Sequence, residues 1–277
     1  MTRRALAAFE FMTRAPYVSD VSLHARFEGD TSTGQAPHVA PAGELKALMD
    51  GEVPTYADVN HLIDLDHDGT YDERSTKALK LNGGYVVFPH NTMLETRNAT
   101  VEFFGRFSEV GNNAAFFRLG EVAAEPGEVY ANGTLSWGFY TPYGQGKHSL
   151  RVGASTSSEG LWSAQLREDS NVDSVSDFAD GKWHHWAITV QTDETVTPKK
   201  TVFKVYRDYE QIGSAIQFPL DADKGGILAF PDTGTSLAIC SGAKVVGYLD
   251  DVRVRPGVWP TDTFMRRIPN GTLFLLR

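Results

Sequence analysis

One cysteine, Cys240, occurs among 277 residues. A lone thiol excludes an intramolecular disulfide framework and any multi-cysteine metal site. It stands in the apolar run Ser236-Leu237-Ala238-Ile239-Cys240, which makes it a buried structural thiol. Positive charge is in deficit as well: 26 Lys and Arg against 35 Asp and Glu give a net charge of −9. That balance argues against nucleic acid or an anionic membrane surface as the main partner. No segment reaches the roughly 20 apolar residues of a membrane-spanning helix. Internal repeats, low-complexity tracts, G-x-S-x-G motifs and phosphate-cradling glycine loops are absent.

What is present suffices for a sizeable core, since 41% of the residues are hydrophobic. The stretch 181–206 organises the chain. In it an aromatic-rich strand, Trp183 to Val190, precedes a polar turn and a second strand, Thr201 to Tyr206, both rich in β-branched and aromatic residues. Further short strands are predicted at 77–83, 85–89, 100–107, 114–120, 135–141, 148–154, 161–166, 235–240 and 248–254, divided by Gly, Asn, Pro and Asp. Many short strands and almost no helix indicate a two-sheet antiparallel β-sandwich.

The two ends are less regular. Leu6, Phe9 and Met12 recur at helical spacing, which predicts an amphipathic helix from Arg3 to Arg14 and a helical extension over 1–17. Glu10 interrupts the apolar run there, leaving it too brief for a signal-peptide core. A strand is expected at 21–29 from the alternation of Leu23, Ala25 and Phe27. Residues 30–76 are poor in apolar periodicity and read as a long loop insertion holding one short helix at 43–51. The C-terminal tail ends in an apolar run that reads as a last strand.

Five patterns in order carry a family resemblance: Gly83-Gly84-Tyr85-Val86-Val87-Phe88-Pro89, Ala99-Thr100-Val101-Glu102-Phe103-Phe104, Gly181-Lys182-Trp183-His184-His185-Trp186-Ala187, Val205-Tyr206-Arg207-Asp208-Tyr209, and Gly247-Tyr248-Leu249-Asp250-Asp251-Val252-Arg253-Val254. Together they resemble the laminin-G-like branch of the concanavalin A-like jelly rolls, over about residues 20–265. The fourth pattern departs from it, with Tyr209 where glycine is usual. The resemblance implies a jelly roll over 18–277 and an extracellular or cell-surface location. It also implies a glycan, polysaccharide or protein ligand, neighbouring protein domains as partners, and frequent use of calcium. It does not imply catalysis.

Several residue groups are candidates for chemistry. Asp64, Asp66, Asp68 and Gly69 follow the first half of an EF-hand-type loop, with the Thr70 carbonyl, Asp72 and Glu73 as further oxygens. The twelfth position is Ser75 instead of a bidentate glutamate, so calcium competes with a solvated acidic loop. By the resemblance, Asp250 is a second calcium ligand, with Glu28 or Asp30 as partner; the alternative is that Asp250 pairs with Arg253 or caps a turn. His184 and His185 are adjacent on a strand, point to opposite faces and cannot chelate one ion, which leaves packing. Asp232-Thr233-Gly234-Thr235-Ser236 looks like the active-site run of pepsin-like proteases but lacks a second copy. Glycoside hydrolases on the resembled fold carry an alternating E-x-D-x-x-E strand, which is missing here. Trp137, Tyr140, Tyr143, Trp162 and Tyr209 are the candidate sugar-stacking aromatics. The expected function is a calcium-stabilised, non-catalytic carbohydrate-binding domain. The alternatives are an adhesive protein-interaction domain and a polysaccharide hydrolase or lyase with carboxylates distant in sequence.

Overall fold

The computed structural model describes residues 23–29, 43–65, 69–89, 98–111, 114–119, 137–140, 151–156, 160–165, 179–193, 195, 200–218 and 236–268. The helix expected at 3–14 and the apolar end of the tail lie outside them. The described elements are almost entirely strands: β1 Leu23–Ala25, β2 Glu44–Asp64, β3 Glu73–Phe88, β4 Ala99–Val110, β5 Ala115–Leu119, β6 Trp137–Tyr140, β7 Arg151–Thr156, β8 Gly160–Gln165, β9 Trp183–Asp193, β10 Lys200–Arg207, β11 Glu210–Phe218, β12 Leu237–Ser241, β13 Val245–Pro256 and β14 Arg266–Ile268. All pairings are antiparallel, in the order β11-β10-β9-β4-β13-β3-β12-β5-β6-β7-β8, with β2 beside β3, β14 beside β2 and β1 beside β13.

One ladder becomes two layers because three strand tracks turn a corner at the same level. Along one edge of β3, Leu79 to Asn82 pair with β13, and Val86 to Phe88 pair with β12. Between them Gly83 has φ 72°, a left-handed conformation that glycine adopts without steric cost. β4 meets β13 and β5 meets β12 in the same way, and at their corner the Gly111 amide donates to the Lys244 carbonyl at 2.7 Å. β2 bends there too, so tightly that a Cβ on Gly51 would fall 1.9 Å from the Gly83 carbonyl oxygen.

The layers enclose a core supplied by alternate residues: Val101, Phe103 and Phe107 of β4, Trp186, Ile188 and Val190 of β9, Phe203 and Val205 of β10, Leu237 and Ile239 of β12, and Leu249, Val252 and Val254 of β13. Burial of each such side chain is worth about 1.5–3 kcal/mol. Cys240 is wholly buried among them, and burial pushes its thiol well above the usual range, which makes it inert.

The structure corrects the reading of residues 30–76. Glu44–Asp64 is one 21-residue strand, including the segment expected as a helix at 43–51, and it pairs with β3 along nearly its whole length. Its helix-forming residues yield to that pairing, which satisfies the backbone along its length. Pro54 is compatible with β2 because β2 is an edge strand for most of its length. The strand Glu210–Phe218, unforeseen in the sequence, completes the β10 hairpin.

Because two backbones touch at the corner, Gly51→Ala is expected to lower folding stability by about 1–3 kcal/mol, the usual cost of overpacking. A denaturant midpoint equal to that of the parent protein would show that the corner gives way freely.

Candidate functional site

The outward face of the first layer is not uniformly wet. Glu102, on that face of β4, is wholly buried under residues 259–268. Its Oε1 accepts from Arg253 Nε at 2.8 Å and Arg255 Nη2 at 3.0 Å, while Oε2 accepts from the Met265 amide at 2.8 Å. His185 Nε2 lies 3.1 Å from the same Oε2. Burial alone would push the Glu102 carboxyl up, but Arg253, the His185 hydrogen bond and Arg255 together hold it well below the usual carboxylate range. Both arginines also donate to the Thr263 carbonyl, and the Arg255 guanidinium sits 4.3 Å from the Trp259 ring centroid. The His185 ring stacks on Tyr209 with centroids 4.9 Å apart. This closed cluster binds the C-terminal segment to the sheet.

The paired histidines face opposite ways, as expected, but each holds carboxylates in addition to packing. His184 bridges Asp208 at 2.6 Å and Asp180 at 3.2 Å. The hydrogen bond to Asp208 raises the His184 pKa against the opposing effect of burial.

A second polar group lies where β13 changes partner. Leu249 still pairs with Leu79 of β3, whereas Val252 pairs with Ala25 of β1. Between them is a bulge in which Asp251 has φ 45°. Both bulge carboxylates are buried. Asp250 accepts from Ser75 Oγ at 3.0 and 2.9 Å and from the Asp251 amide at 3.0 Å, and its Oδ2 lies 2.8 Å from His61 Nδ1. Asp251 Oδ1 lies 3.3 Å from His24 Nε2, and its Oδ2 is buried without a hydrogen-bond partner. Burial, and then the neighbouring Asp251, push the Asp250 carboxyl well above its ordinary value. Burial lowers His61 to about 4, with Arg267 adding to the effect, so the group facing Asp250 is neutral. The alternative of an Asp250–Arg253 pair is not what forms, since Arg253 goes to Glu102. Glu28 accepts from the Thr76 amide at 2.9 Å, and its charge acts on Asp250. Asp30 lies outside the described residues.

The acidic run is the turn of the β2–β3 hairpin, with Ile63 paired to Glu73. Asp64 Oδ2 accepts from the Gly69 amide at 3.0 Å, and Asp72 Oδ2 accepts from the Leu65 amide at 2.7 Å. Thr70 is exposed, and Asp66 and Asp68 lie outside the described residues. Among the described residues no three His, Cys, Asp or Glu side chains are arranged to hold a metal ion.

Of the expected sugar-stacking residues, Trp137 and Trp162 both pair with Ala154 and so stand in one register row. That register row continues through Leu119 to Leu237. Tyr143 lies outside the described residues. Tyr209 is committed to His185, and burial raises its hydroxyl to about 12.

A different aromatic group lies on the outward face of the first layer. Trp183, Arg106, Tyr248 and Lys80 are register partners across β9, β4, β13 and β3, and Thr55 of β2 continues the row. Arg106 and Lys80 are exposed, Trp183 and Tyr248 half-buried. The two rings are 6.2 Å apart, with Arg106 5.6 Å from Tyr248 and Arg267 5.7 Å from Trp183. His61 meets Trp183 edge-on at 4.6 Å and fixes it from beneath. Sequence reasoning used Trp183 and Tyr248 only as fold markers; their alternation with core residues was the available signal of exposure.

Because Glu102 compensates two buried guanidinium groups, Glu102→Gln is expected to destabilise the protein by about 3–5 kcal/mol. Urea denaturation of the variant checks this, and a loss under about 1 kcal/mol would show that the cluster rearranges without it.

The comparisons with known proteins agree with this architecture. No curated protein matches the sequence. Domain 4 of AbnA, an extracellular GH43 arabinanase from Geobacillus stearothermophilus solved with arabinotriose, superposes with a TM-score of 0.56 at 15% identity, over 88% of this chain and 96% of that one. The binding domain of botulinum neurotoxin serotype D gives a TM-score of 0.45 at 9% identity, over 88% of this chain and 50% of that one. The sialidase CBM40 of Ruminococcus gnavus bound to α2,3-sialyllactose gives 0.40 at 10% identity, over 62% and 82%. The Laminin_G_3 family model matches residues 81–259, the span holding β4 to β13 and the Asp250–Asp251 bulge, so the chain belongs to the concanavalin A-like lectin/glucanase superfamily.

Proposed function

We propose that the chain is a non-catalytic carbohydrate-binding domain of a secreted or surface protein. The observation that carries this reading is the pair of adjacent rings, Trp183 and Tyr248, set among polar side chains on the outward sheet face. An aromatic face offers apolar area to the C–H face of a sugar, and polar neighbours meet its hydroxyls. The arabinanase domain that shares the fold was solved with arabinotriose, which supports the same ligand class. Trp137, Tyr140 and Trp162 remain candidates on the second layer. Glu102, Asp250 and Asp251 are fully buried, which sets these three carboxyl groups apart from a sugar at the surface. Glycan-array binding that falls at least tenfold in Tyr248→Ala is expected; an array with no bound glycan would end the reading.

Calcium at the β13 bulge belongs to the same proposal. Asp250, Asp251 and Glu28 offer hard oxygen ligands, with Asp30 near in sequence, and the unpartnered Asp251 Oδ2 is the feature a cation would complete. Asp250 and Asp251 bring two buried carboxyl groups side by side, with His61 and His24 as their nearest ionisable partners, and a divalent cation would offset the charge of the pair. Asp64, Asp66, Asp68, Thr70, Asp72 and Glu73 form the second candidate set, which would brace the β2–β3 turn. A cation at 100 times its dissociation constant adds about 2.7 kcal/mol to stability. Chelator is therefore expected to lower the melting temperature of the parent, and by less that of Asp250→Asn, and an unchanged parent melt in saturating chelator would exclude calcium.

The protein-interaction reading has one feature in its favour. β2 is a long edge strand on which Met49 and Val53 are 79% and 54% exposed, a surface suited to an added partner strand.

A further inference from the structure

We infer that the outward row Trp183–Arg106–Tyr248–Lys80 binds an anionic polysaccharide, an inference that rests on the carbohydrate-binding reading and names its ligand class. The chain is acidic overall, yet three cations surround these two rings: Lys80 and Arg106 within the row, and Arg267 over Trp183. Among the described residues none of the three has a carboxylate within ion-pair distance. The contrast with nearby cations is clear. Lys77 pairs with Asp58, and Lys244 with Glu109 at 3.4 Å.

Arg106 is also held in place. Its Nε donates to the Gly181 carbonyl at 2.8 Å, which fixes the guanidinium beside the Tyr248 ring and leaves its terminal nitrogens to meet a ligand. Trp183 is fixed by His61 from one side. The platform is thus ordered before a ligand arrives, which lowers the entropic cost of binding. From β9 to β3 the row crosses three strand spacings, about 14 Å, the scale of a short oligosaccharide. Rings stack on sugar faces while the flanking cations meet carboxylate or sulfate groups on the same chain. The acidic positions Glu52 and Glu109 stand in the neighbouring row, opposite Asn82 and Val246, and Glu109 is neutralised by Lys244. Repulsion from them bears on one end of the strip only.

The test is titration of the full chain with polygalacturonate, dextran sulfate and neutral arabinan, comparing the parent with Lys80→Glu, Lys80→Arg and Tyr248→Ala. Both Lys80 substitutions are at an exposed position, and circular dichroism verifies that each variant folds. Binding to at least one anionic polymer is expected to weaken tenfold or more in Lys80→Glu and Tyr248→Ala, to persist in Lys80→Arg, and to fall as salt screens the contact. Polygalacturonate against dextran sulfate decides between carboxylate and sulfate as the recognised group. Binding to arabinan alone, or anionic binding indifferent to Lys80→Glu, would overturn this inference and leave the carbohydrate reading standing. Failure of all three polymers together with an empty glycan array would remove both.

Discussion

The buried Glu102 carboxylate is the contact on which the outer architecture depends. β-Sandwich sheets need only one apolar face each, and the first layer satisfies that need with Val101, Phe103, Trp186 and Leu249. Its other face would then be free to hydrate. Instead Glu102 draws Arg253, Arg255, His185 and the Met265 amide to a single point, and residues 259–268 close over it. An ion cluster this deep returns little net energy over an apolar equivalent, because desolvation offsets most of the attraction. Its effect is to fix one arrangement. With Met265 held to Glu102, the neighbouring residues follow: Arg267 reaches Trp183, and β14 pairs with the end of β2. The aromatic row on the surface inherits its order from a buried carboxylate.

The same face shows how polar groups are sorted by access. Glu102 has guanidinium partners and stays charged. Among the described residues Asp250 and Asp251 have only histidines and backbone or hydroxyl donors, and burial together with the neighbouring Asp251 pushes the Asp250 carboxyl up. Lys80 and Arg106, by contrast, are in solvent, where an unpaired charge costs nothing. Three environments within a few strands thus give a structural ion cluster, a buried pair of carboxyl groups and an open cationic strip.

Much of the fold was legible in the sequence, and the reasons differ by element. Strands β4, β9, β10 and β13 are rich in β-branched and aromatic residues that alternate with polar ones over part of their length, so their existence could be read from the sequence. β2 could not be read in this way. It is an edge strand whose side chains are mostly partly or fully exposed, and Leu45, Leu48 and Met49 among good helix formers imitate a helix. Gly51 and Pro54 look like punctuation, yet one fits a corner and the other an edge. The acidic run at 64–73 was visible as a motif, and the structure adds that it closes a hairpin. The Glu102 cluster and the Trp183–Tyr248 row were hidden for another reason. Their members lie tens to more than a hundred residues apart and meet only through strand register, which a single sequence does not display. For the Glu102 cluster, a charged residue inside the apolar run of β4 was the available hint.

The shared corner at Gly51, Gly83 and Gly111 has a mechanical consequence. Two sheets held by packing alone can slide or peel apart, each retaining its own ladder. Here β3, the β4–β5 track and the β12–β13 track run continuously through both layers, so the layers are sewn together by covalent chain. A pull that separates them must shear hydrogen-bonded ladders lengthwise instead of parting an apolar seam. Such a domain resists tension until the whole wall fails at once.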